Sequence, residues 1–215
     1  MKNLNLIQLG TNSGKDHVNS FIGEYKDKIK EIVLVEPVPQ CIPKIKQNYI
    51  NHDIVIEPSA IIPKGRENTG TTNLYLVDYP EFDQSKWMNF EVSSLTKSWP
   101  KNKGLGWSEY GRSIEVETLY FEQLVSKYKL KTVDFLFMDV EGEDDAIIEG
   151  LDILKYNFKI VVWEKCSDGR HPNNILKFKN LGYEGLTAGA NYIAFKPEYK
   201  SYIPNLSKWL TTNYL

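Results

Sequence analysis

The alternation of strand-like and helix-like segments constrains the fold of this chain most strongly. An apolar run at 4–9 is followed by a stretch with helical spacing at 17–30. A near-continuous apolar run at 31–36, a helical stretch at 43–49 and a third strand pattern at 54–57 come next. Continuous apolar runs suit strands that are covered on both faces. The pattern therefore predicts a doubly wound α/β fold around a mostly parallel sheet.

The remaining chain continues this pattern, with one irregular stretch. Strands are predicted at 73–77, 133–138, 159–163 and 191–195, an extended segment at 113–118, and helices at 119–128, 144–154 and 174–181. Leu154 is expected on the buried face of its helix. The stretch 64–113 is interpreted as a substrate-side excursion, and the tail from 197 as a solvated peripheral segment. Because no linker or repeat divides the chain, 1–215 is predicted to be one domain.

Composition excludes several classes of protein. Twenty-six basic and 28 acidic residues give a net charge of −2, which argues against an extended nucleic-acid surface and weakens the case for a polyanionic acceptor. No apolar run approaches the roughly 18 residues of a membrane helix, so no membrane span is expected. The first residues do not resemble a signal peptide. Cys41 and Cys166 are too few for a disulfide scaffold, so a reduced, cytoplasmic location is predicted.

A glycine-rich turn follows the first predicted strand at 10–16, with the sequence Gly-Thr-Asn-Ser-Gly-Lys-Asp. It is not a P-loop, since the gap from Gly10 to Gly14 is one residue short and Asp16 replaces the metal-binding hydroxyl. Nor is it G-x-G-x-x-G, because Asn12 occupies the second glycine position. The turn still lets backbone approach a ligand closely at the start of a helix.

Acidic residues end three of the predicted strands: Glu36, the pair Asp139 and Glu141, and Glu164. In open α/β sheets, ligands bind at the carboxyl ends of the strands. A carboxylate at the position of Glu36 can accept hydrogen bonds from the two hydroxyls of a ribose. Together with the glycine turn, it indicates a cofactor that contains adenosine.

These motifs resemble those of the FkbM-like methyltransferases. Residues 7–15, IQLGTNSGK, are similar to the family's first motif, D/Q-x-G-A-N-x-G. The other similar segments are LVEPVP at 34–39, PSAI at 58–61, VSSL at 92–95 and VDFLFMDVEGED at 133–144. The resemblance extends over about 5–196, and the D-x-E-G step is its most specific part.

The resemblance implies a class I methyltransferase fold with a seven-stranded, mostly parallel sheet and S-adenosylmethionine as cofactor. It also implies O-methylation of a hydroxyl on a sugar, glycan or small-molecule acceptor. The residues that it assigns to the cofactor are Gln8, Gly10, Thr11, Asn12 and Gly14 for the methionine part, Glu36 with Pro37 for the ribose, Ser59 and Ala60 for the adenine, and Asp139. Two positions depart from the family pattern: Gln8 stands where many members have Asp, and Phe137 where many have Lys.

Several side chains could take the proton of a hydroxyl acceptor. Asp139 is the first candidate and Glu141 the second, since neighbouring carboxylates can raise one another's pKa. Glu164 and His171 are further candidates, and the predicted catalytic residues are Asp139, Glu141 and His171. His17 and His52 are expected at the surface.

A metal site and an aromatic acceptor site are two further interpretations of the sequence. Divalent metal binding at Asp139, Glu141 and Asp144 is conceivable, but no imidazole or loop signature supports it, and no metal is predicted. Flat rings stack on sugars, so four aromatic residues of the excursion could form an acceptor wall: Trp87, Trp99, Trp107 and Tyr110.

Two other functions stay open on the sequence. One is a catalytically silent module that binds an adenosine cofactor. The other is a nicotinamide-dependent oxidoreductase, which the missing G-x-G-x-x-G disfavours.

Overall fold

The computed structural model describes residues 4–77, 93–97, 111–166 and 168–212. In chain order its strands are β1 (Leu4–Leu9), β2 (Ile29–Val35), β3 (Ile54–Glu57), β4 (Ala60–Ile61), β5 (Thr71–Val77), β6 (Gly111–Leu119), β7 (Phe135–Met138), β8 (Ile160–Glu164), β9 (Glu184–Ala188) and β10 (Asn191–Phe195). Its helices are α1 (His17–Glu24), α2 (Ile42–Asn48), α3 (Phe121–Lys127), α4 (Asp144–Gly150), α5 (Ile153–Tyr156), α6 (His171–Asn180), a 3-10 helix (Pro197–Tyr202) and α7 (Ile203–Thr212).

The main sheet has seven strands in the order β3-β2-β1-β7-β8-β10-β9. The first five run parallel, and β10 runs antiparallel to both of its neighbours. The predicted seven-stranded, mostly parallel α/β fold is therefore confirmed. Leu9, at the end of β1, pairs with Val35 of β2 and Met138 of β7, so these strands end at one edge of the sheet.

Helices cover both faces of this sheet. Ile7 belongs to an apolar cluster with residues of α3 to α6, whereas Leu6, its neighbour in β1, belongs to a second cluster with residues of α1, α2 and α7. Successive side chains of a strand point to opposite faces. This double covering explains why β1 is buried along its whole length.

The C-terminal tail is not the solvated segment that the sequence predicted. Tyr202, Ile203, Leu206 and Leu210 are buried in the second cluster, and the Tyr202 ring lies 5.8 Å from that of Phe135. Ile203, Leu206 and Leu210 recur at helical spacing and form one face of α7. The tail therefore completes the core.

Three helix predictions also need correction. The helix predicted at 17–30 ends at Glu24, because Ile29 already belongs to β2. The helix predicted at 144–154 ends at Gly150, and the extended Leu151 turns the chain into α5. Leu154 is consequently 74% exposed rather than buried. The helix predicted at 174–181 begins earlier, with His171 as the first residue of α6, and the sequence pattern does not indicate β9.

A small second sheet, in the order β4-β6-β5, occupies part of the irregular stretch. Within 93–97, Ser94 exchanges two backbone hydrogen bonds with Tyr75 of β5. Its hydroxyl donates to the carbonyl oxygen of Glu141, at 2.7 Å. The excursion thus contacts the end of β7. The aromatic candidates Trp87, Trp99, Trp107 and Tyr110 lie outside the described residues.

Candidate functional site

The turn after β1 requires glycine at two positions. Gly10 has a φ of +75°, and a Cβ there would overlap the carbonyl oxygen of Asp139. Gly14 has a φ of +72°, and a Cβ there would come within 2.7 Å of the Tyr49 ring. Both values lie in the left-handed region that glycine adopts without strain. The turn is therefore packed between the end of β7 and α2.

Glu36 joins this turn to the segment that follows β2. Its Oε2 accepts a hydrogen bond from the backbone N–H of Asn12 at 2.6 Å, and its Oε1 accepts one from that of Val38 at 2.9 Å. Burial raises the pKa of the Glu36 carboxyl to about 7, against the effect of these two hydrogen bonds. Each carboxylate oxygen can accept a further hydrogen bond. Glu36 can therefore accept hydrogen bonds from two ligand hydroxyls while it joins the glycine turn to the segment after β2.

The side chain of Thr11 indicates whether this turn is suited to bind a ligand. Its side chain is buried, and Oγ1 has no hydrogen-bond partner within the described part of the chain. A buried hydroxyl without a partner is costly in a folded protein. Together with the two glycines and Glu36, it fits a polar cofactor seated on the turn.

A group of carboxylates surrounds the end of β7, and Asp139 lies at its centre. Asp139 as a residue is exposed at the end of β7, but desolvation by the surrounding protein raises the pKa of its carboxyl group well above the usual range, and the charges of Glu141, Glu164, Asp144 and Asp16 raise it further. Desolvation and nearby like charges both disfavour the ionised form of a carboxyl group. The structure thus brings together the acidic residues that end β7 and β8, as the sequence predicted for strand ends.

Asp144 belongs to the same group, on the first turn of α4. Its Oδ2 accepts a hydrogen bond from the Val140 backbone N–H at 3.2 Å, whereas Oδ1 has no partner among the described residues. Burial raises the pKa of this carboxyl strongly, with Glu164 as the next cause. The carboxylate group can be stabilised by bound protons or by a cationic ligand.

The structure offers no metal site to neutralise this charge, as far as the described residues extend. Across 4–77, 93–97, 111–166 and 168–212, no three His, Cys, Asp or Glu side chains are arranged to hold a metal ion. The alternative of a metal at Asp139, Glu141 and Asp144 therefore gains no support.

His171 lies in a separate cluster centred on Asp145. Its Nδ1 is 3.2 Å from Asp145 Oδ1, and Nε2 is buried without a partner in the described part of the structure. Its ring packs against the rings of Trp163 and Tyr192. The observed contacts of His171 are with this cluster rather than with Asp139.

Other candidates have contacts of their own. Ser59 is buried, and its hydroxyl donates to Glu57 Oε1 at 2.7 Å. Ala60 begins β4, and Pro37 is half-buried beside Glu36. His17, expected at the surface, is half-buried: its ring centroid lies 6.2 Å from that of Phe137, and desolvation lowers the pKa of its imidazole.

Three acidic residues of this region were missed from the sequence. Asp16 caps α1 and accepts a hydrogen bond from Gln8, and an Asp before a helical stretch is a recognisable capping signal. Glu143 accepts hydrogen bonds from Arg66 and Thr96, and Asp145 from Trp163 and Asn174. No sequence pattern separates these last two from ordinary acidic residues at a helix start.

Comparison with known proteins decides the family. The profile of the Methyltransferase FkbM domain matches residues 8–184. The chain belongs to the FkbM methyltransferase family. FkbM methyltransferases use S-adenosylmethionine, so the family and the cofactor expected from the sequence are confirmed at this level. No curated protein sequence matches the chain.

One solved structure supports the fold. The methyltransferase FkbM from Methylobacillus flagellatus KT superimposes with a TM-score of 0.51 at 12% identity, covering 90% of this chain and 43% of that one. The chain thus spans less than half the length of that protein. The ribosomal protein L11 methylase from Lactobacillus delbrueckii subsp. bulgaricus gives a TM-score of 0.42 at 10% identity, over 91% of this chain and 72% of that one.

Among the described residues, no helix is both long and apolar enough to cross a membrane.

Proposed function

We propose that this FkbM domain transfers a methyl group from S-adenosylmethionine to a hydroxyl of a sugar, glycan or small-molecule acceptor. The observation that carries the proposal is the position of Asp139. Its carboxyl group lies just after β7, within the field of the charges of Glu141, Glu164, Asp144 and Asp16, and its pKa is raised well above the usual range. Such a group can attract a cationic donor and accept a proton from a hydroxyl.

The residues that would hold the cofactor surround the same edge of the sheet. Glu36 would accept hydrogen bonds from the ribose hydroxyls, with Pro37 beside it. Gly10, Thr11, Asn12 and Gly14 would contact the methionine part, where Thr11 Oγ1 offers an unused hydroxyl. Ser59 and Ala60 would border the adenine, through their backbone and the small Ala60 side chain, because the Ser59 hydroxyl is engaged by Glu57.

The cofactor supplies an activated methyl group on a positively charged sulfur. The contribution of this chain is to bind that charge, to hold the acceptor oxygen in line and to remove the acceptor's proton. Asp139 and Glu141 favour the charged donor over its neutral product through their negative charge. In-line orientation of the reacting atoms lowers the barrier by restricting their motion.

Asp139 is the proposed general base, and it takes the hydroxyl proton onto its carboxylate as the oxygen is methylated. A positioned base of this kind contributes roughly 10²- to 10⁴-fold to the rate. Glu141 follows two residues later and is the second candidate. His171 is the third candidate, and its Nδ1 lies 3.2 Å from Asp145 Oδ1.

Two measurements test the proposal. Calorimetry should detect binding of S-adenosylhomocysteine and not of NAD. Transfer of a labelled methyl group should then be followed on pools of sugars, glycans and small-molecule alcohols. Asp139→Asn should lower this transfer about 10²- to 10⁴-fold while S-adenosylhomocysteine still binds.

The matched control is Asp27→Asn, an exposed residue that precedes β2 at the opposite edge of the sheet. It should transfer methyl groups like the wild type. Failure of the wild type to bind S-adenosylhomocysteine would overturn the proposal, and so would transfer to amines but not to hydroxyls. Binding without transfer to any acceptor would support the silent binding module instead.

A further inference from the structure

Gln8 is a buried amide at the edge of the sheet where the cofactor is proposed to bind. It is the last residue but one of β1 and is 3% exposed. Its Nε2 donates a hydrogen bond to Asp16 Oδ2 at 2.6 Å, and its Oε1 accepts one from the Tyr49 hydroxyl at 3.4 Å. Gln8 is therefore fixed from both ends of its amide. The hydrogen bond to Asp16 connects Gln8 to the glycine turn.

Asp16 makes more hydrogen bonds than a helix cap requires. Its Oδ1 alone caps α1, accepting from the backbone N–H groups of Val18 at 2.9 Å and Asn19 at 3.0 Å. The second oxygen takes no part in capping and is held by Gln8. A carboxylate offers about four acceptor positions, of which these contacts use three. Oδ2 can therefore accept one more hydrogen bond.

The position of Asp16 indicates which ligand site lies next to the free acceptor position of its Oδ2. Asp16 closes the glycine turn that begins at Gly10, and its charge acts on the Asp139 carboxyl at the end of β7. In the same turn, the buried Thr11 Oγ1 has no partner among the described residues. A carboxylate acceptor and an unused hydroxyl thus lie in one turn, beside the proposed cofactor. This pair suits a ligand group that carries both a positive charge and hydrogen-bonding atoms.

We propose that Asp16, positioned by Gln8, binds the α-ammonium group of the methionine part of S-adenosylmethionine. The inference rests on the proposed function and adds a binding residue to it. An ammonium group has three N–H donors and no acceptor, so a fixed carboxylate oxygen is its complementary partner. Gln8 contributes by orienting Asp16 and is a positioning residue.

The test compares two ligands that differ in one group. Calorimetry measures binding of S-adenosylhomocysteine and of its analogue that lacks only the α-amino group. Asp16→Asn should weaken binding of S-adenosylhomocysteine about 10- to 100-fold. The same substitution should leave the binding of the analogue no weaker. Asn remains a good helix cap, so the variant should keep its thermal unfolding midpoint.

A second variant tests the positioning role, and a third serves as the control. Gln8→Met keeps a side chain of similar size without the hydrogen bonds, and it should weaken binding of S-adenosylhomocysteine about 3- to 10-fold but not binding of the analogue. The exposed Asp27→Asn should change neither.

Equal effects of Asp16→Asn on both ligands, or no effect on either, would overturn the assignment of Asp16 while leaving the proposed function standing. If the wild type binds neither ligand, the proposed function itself fails. The wild-type titration therefore distinguishes the two failures.

Discussion

Asp144 and Asp145 are neighbours on the first turn of α4, and both are 0% exposed, yet their surroundings differ. Asp145 receives hydrogen bonds on both oxygens, from Trp163, Asn174 and the Cys166 backbone among others. Asp144 receives one on Oδ2, while Oδ1 has no partner in the described part of the chain.

The difference separates two uses of a buried carboxyl group. Asp145 is compensated within the protein and holds α4, β8 and α6 together. Asp144 lies near other acidic groups, and its compensation is incomplete. A buried polar network stabilises a fold when its members are satisfied, whereas an unsatisfied group is costly. That cost is the expected mark of a site completed by a ligand.

The largest effect is expected from removing the compensated carboxyl group. Asp145→Ala leaves the indole N–H of Trp163, the amide of Asn174 and the backbone N–H of Cys166 buried without their acceptor. We expect a loss of about 3–5 kcal/mol in the free energy of unfolding. Urea unfolding followed by tryptophan fluorescence measures it. A loss below about 1 kcal/mol would show that the cluster does not hold these elements together.

The second effect depends on pH and concerns Glu36. Its pKa is about 7 in the folded protein against 4.5 for a free side chain. The folded state therefore binds more protons between these values, and the stability contributed by Glu36 decreases as the pH rises through this window. From pH 4.5 to 8 this loss is on the order of 3 kcal/mol.

Glu36→Gln should remove that part of the pH dependence. The free energy of unfolding is measured in urea at steps from pH 4.5 to 8. As the pH rises, it should fall less in the variant than in the wild type. Parallel pH profiles for the two proteins would contradict the raised pKa.

The third prediction concerns the other member of the pair. Asp144→Asn removes a buried, incompletely compensated carboxylate and should stabilise the protein at pH 8 by about 1–2 kcal/mol, the opposite sign to Asp145→Ala. The same urea experiment measures it. A destabilisation as large as that of Asp145→Ala would show that the two carboxyl groups are equivalent.

The smallest effect is expected at His171. Gln retains a polar group able to reach Asp145, so His171→Gln should cost about 1 kcal/mol of stability. It should also lower methyl transfer far less than Asp139→Asn, because the observed contacts of His171 lie in the Asp145 cluster. A loss of methyl transfer as large as that of Asp139→Asn would indicate that His171 is the general base.

The strand ends were predictable from sequence, and the pairing of side chains around them was not. Periodicity locates Glu36, Asp139 and Glu164, because apolar runs stop where strands leave the sheet. The different roles of Asp144 and Asp145 depend on the direction in which each side chain leaves α4. Adjacent helical residues diverge by about 100°, and only the placement of α4 shows which neighbours each one meets.

The same limit applies to two other features. The hydrogen bond from Gln8 to Asp16 joins a strand to the start of the next helix, and it requires knowing how α1 sits on β1. To predict that α7 is buried, one would need to know which face of the sheet it covers beside Phe21 and Phe135. Both are tertiary facts that a local pattern does not contain.

The central proposal is that the acidic group around Asp139 binds a positive charge. The direct measurement is the ratio of affinities for S-adenosylmethionine, which carries the sulfonium charge, and S-adenosylhomocysteine, which does not. At pH 8 the wild type and Asp27→Asn should prefer the charged ligand, and the preference should decrease in Asp139→Asn. A ratio that is the same in all three proteins would contradict the claim.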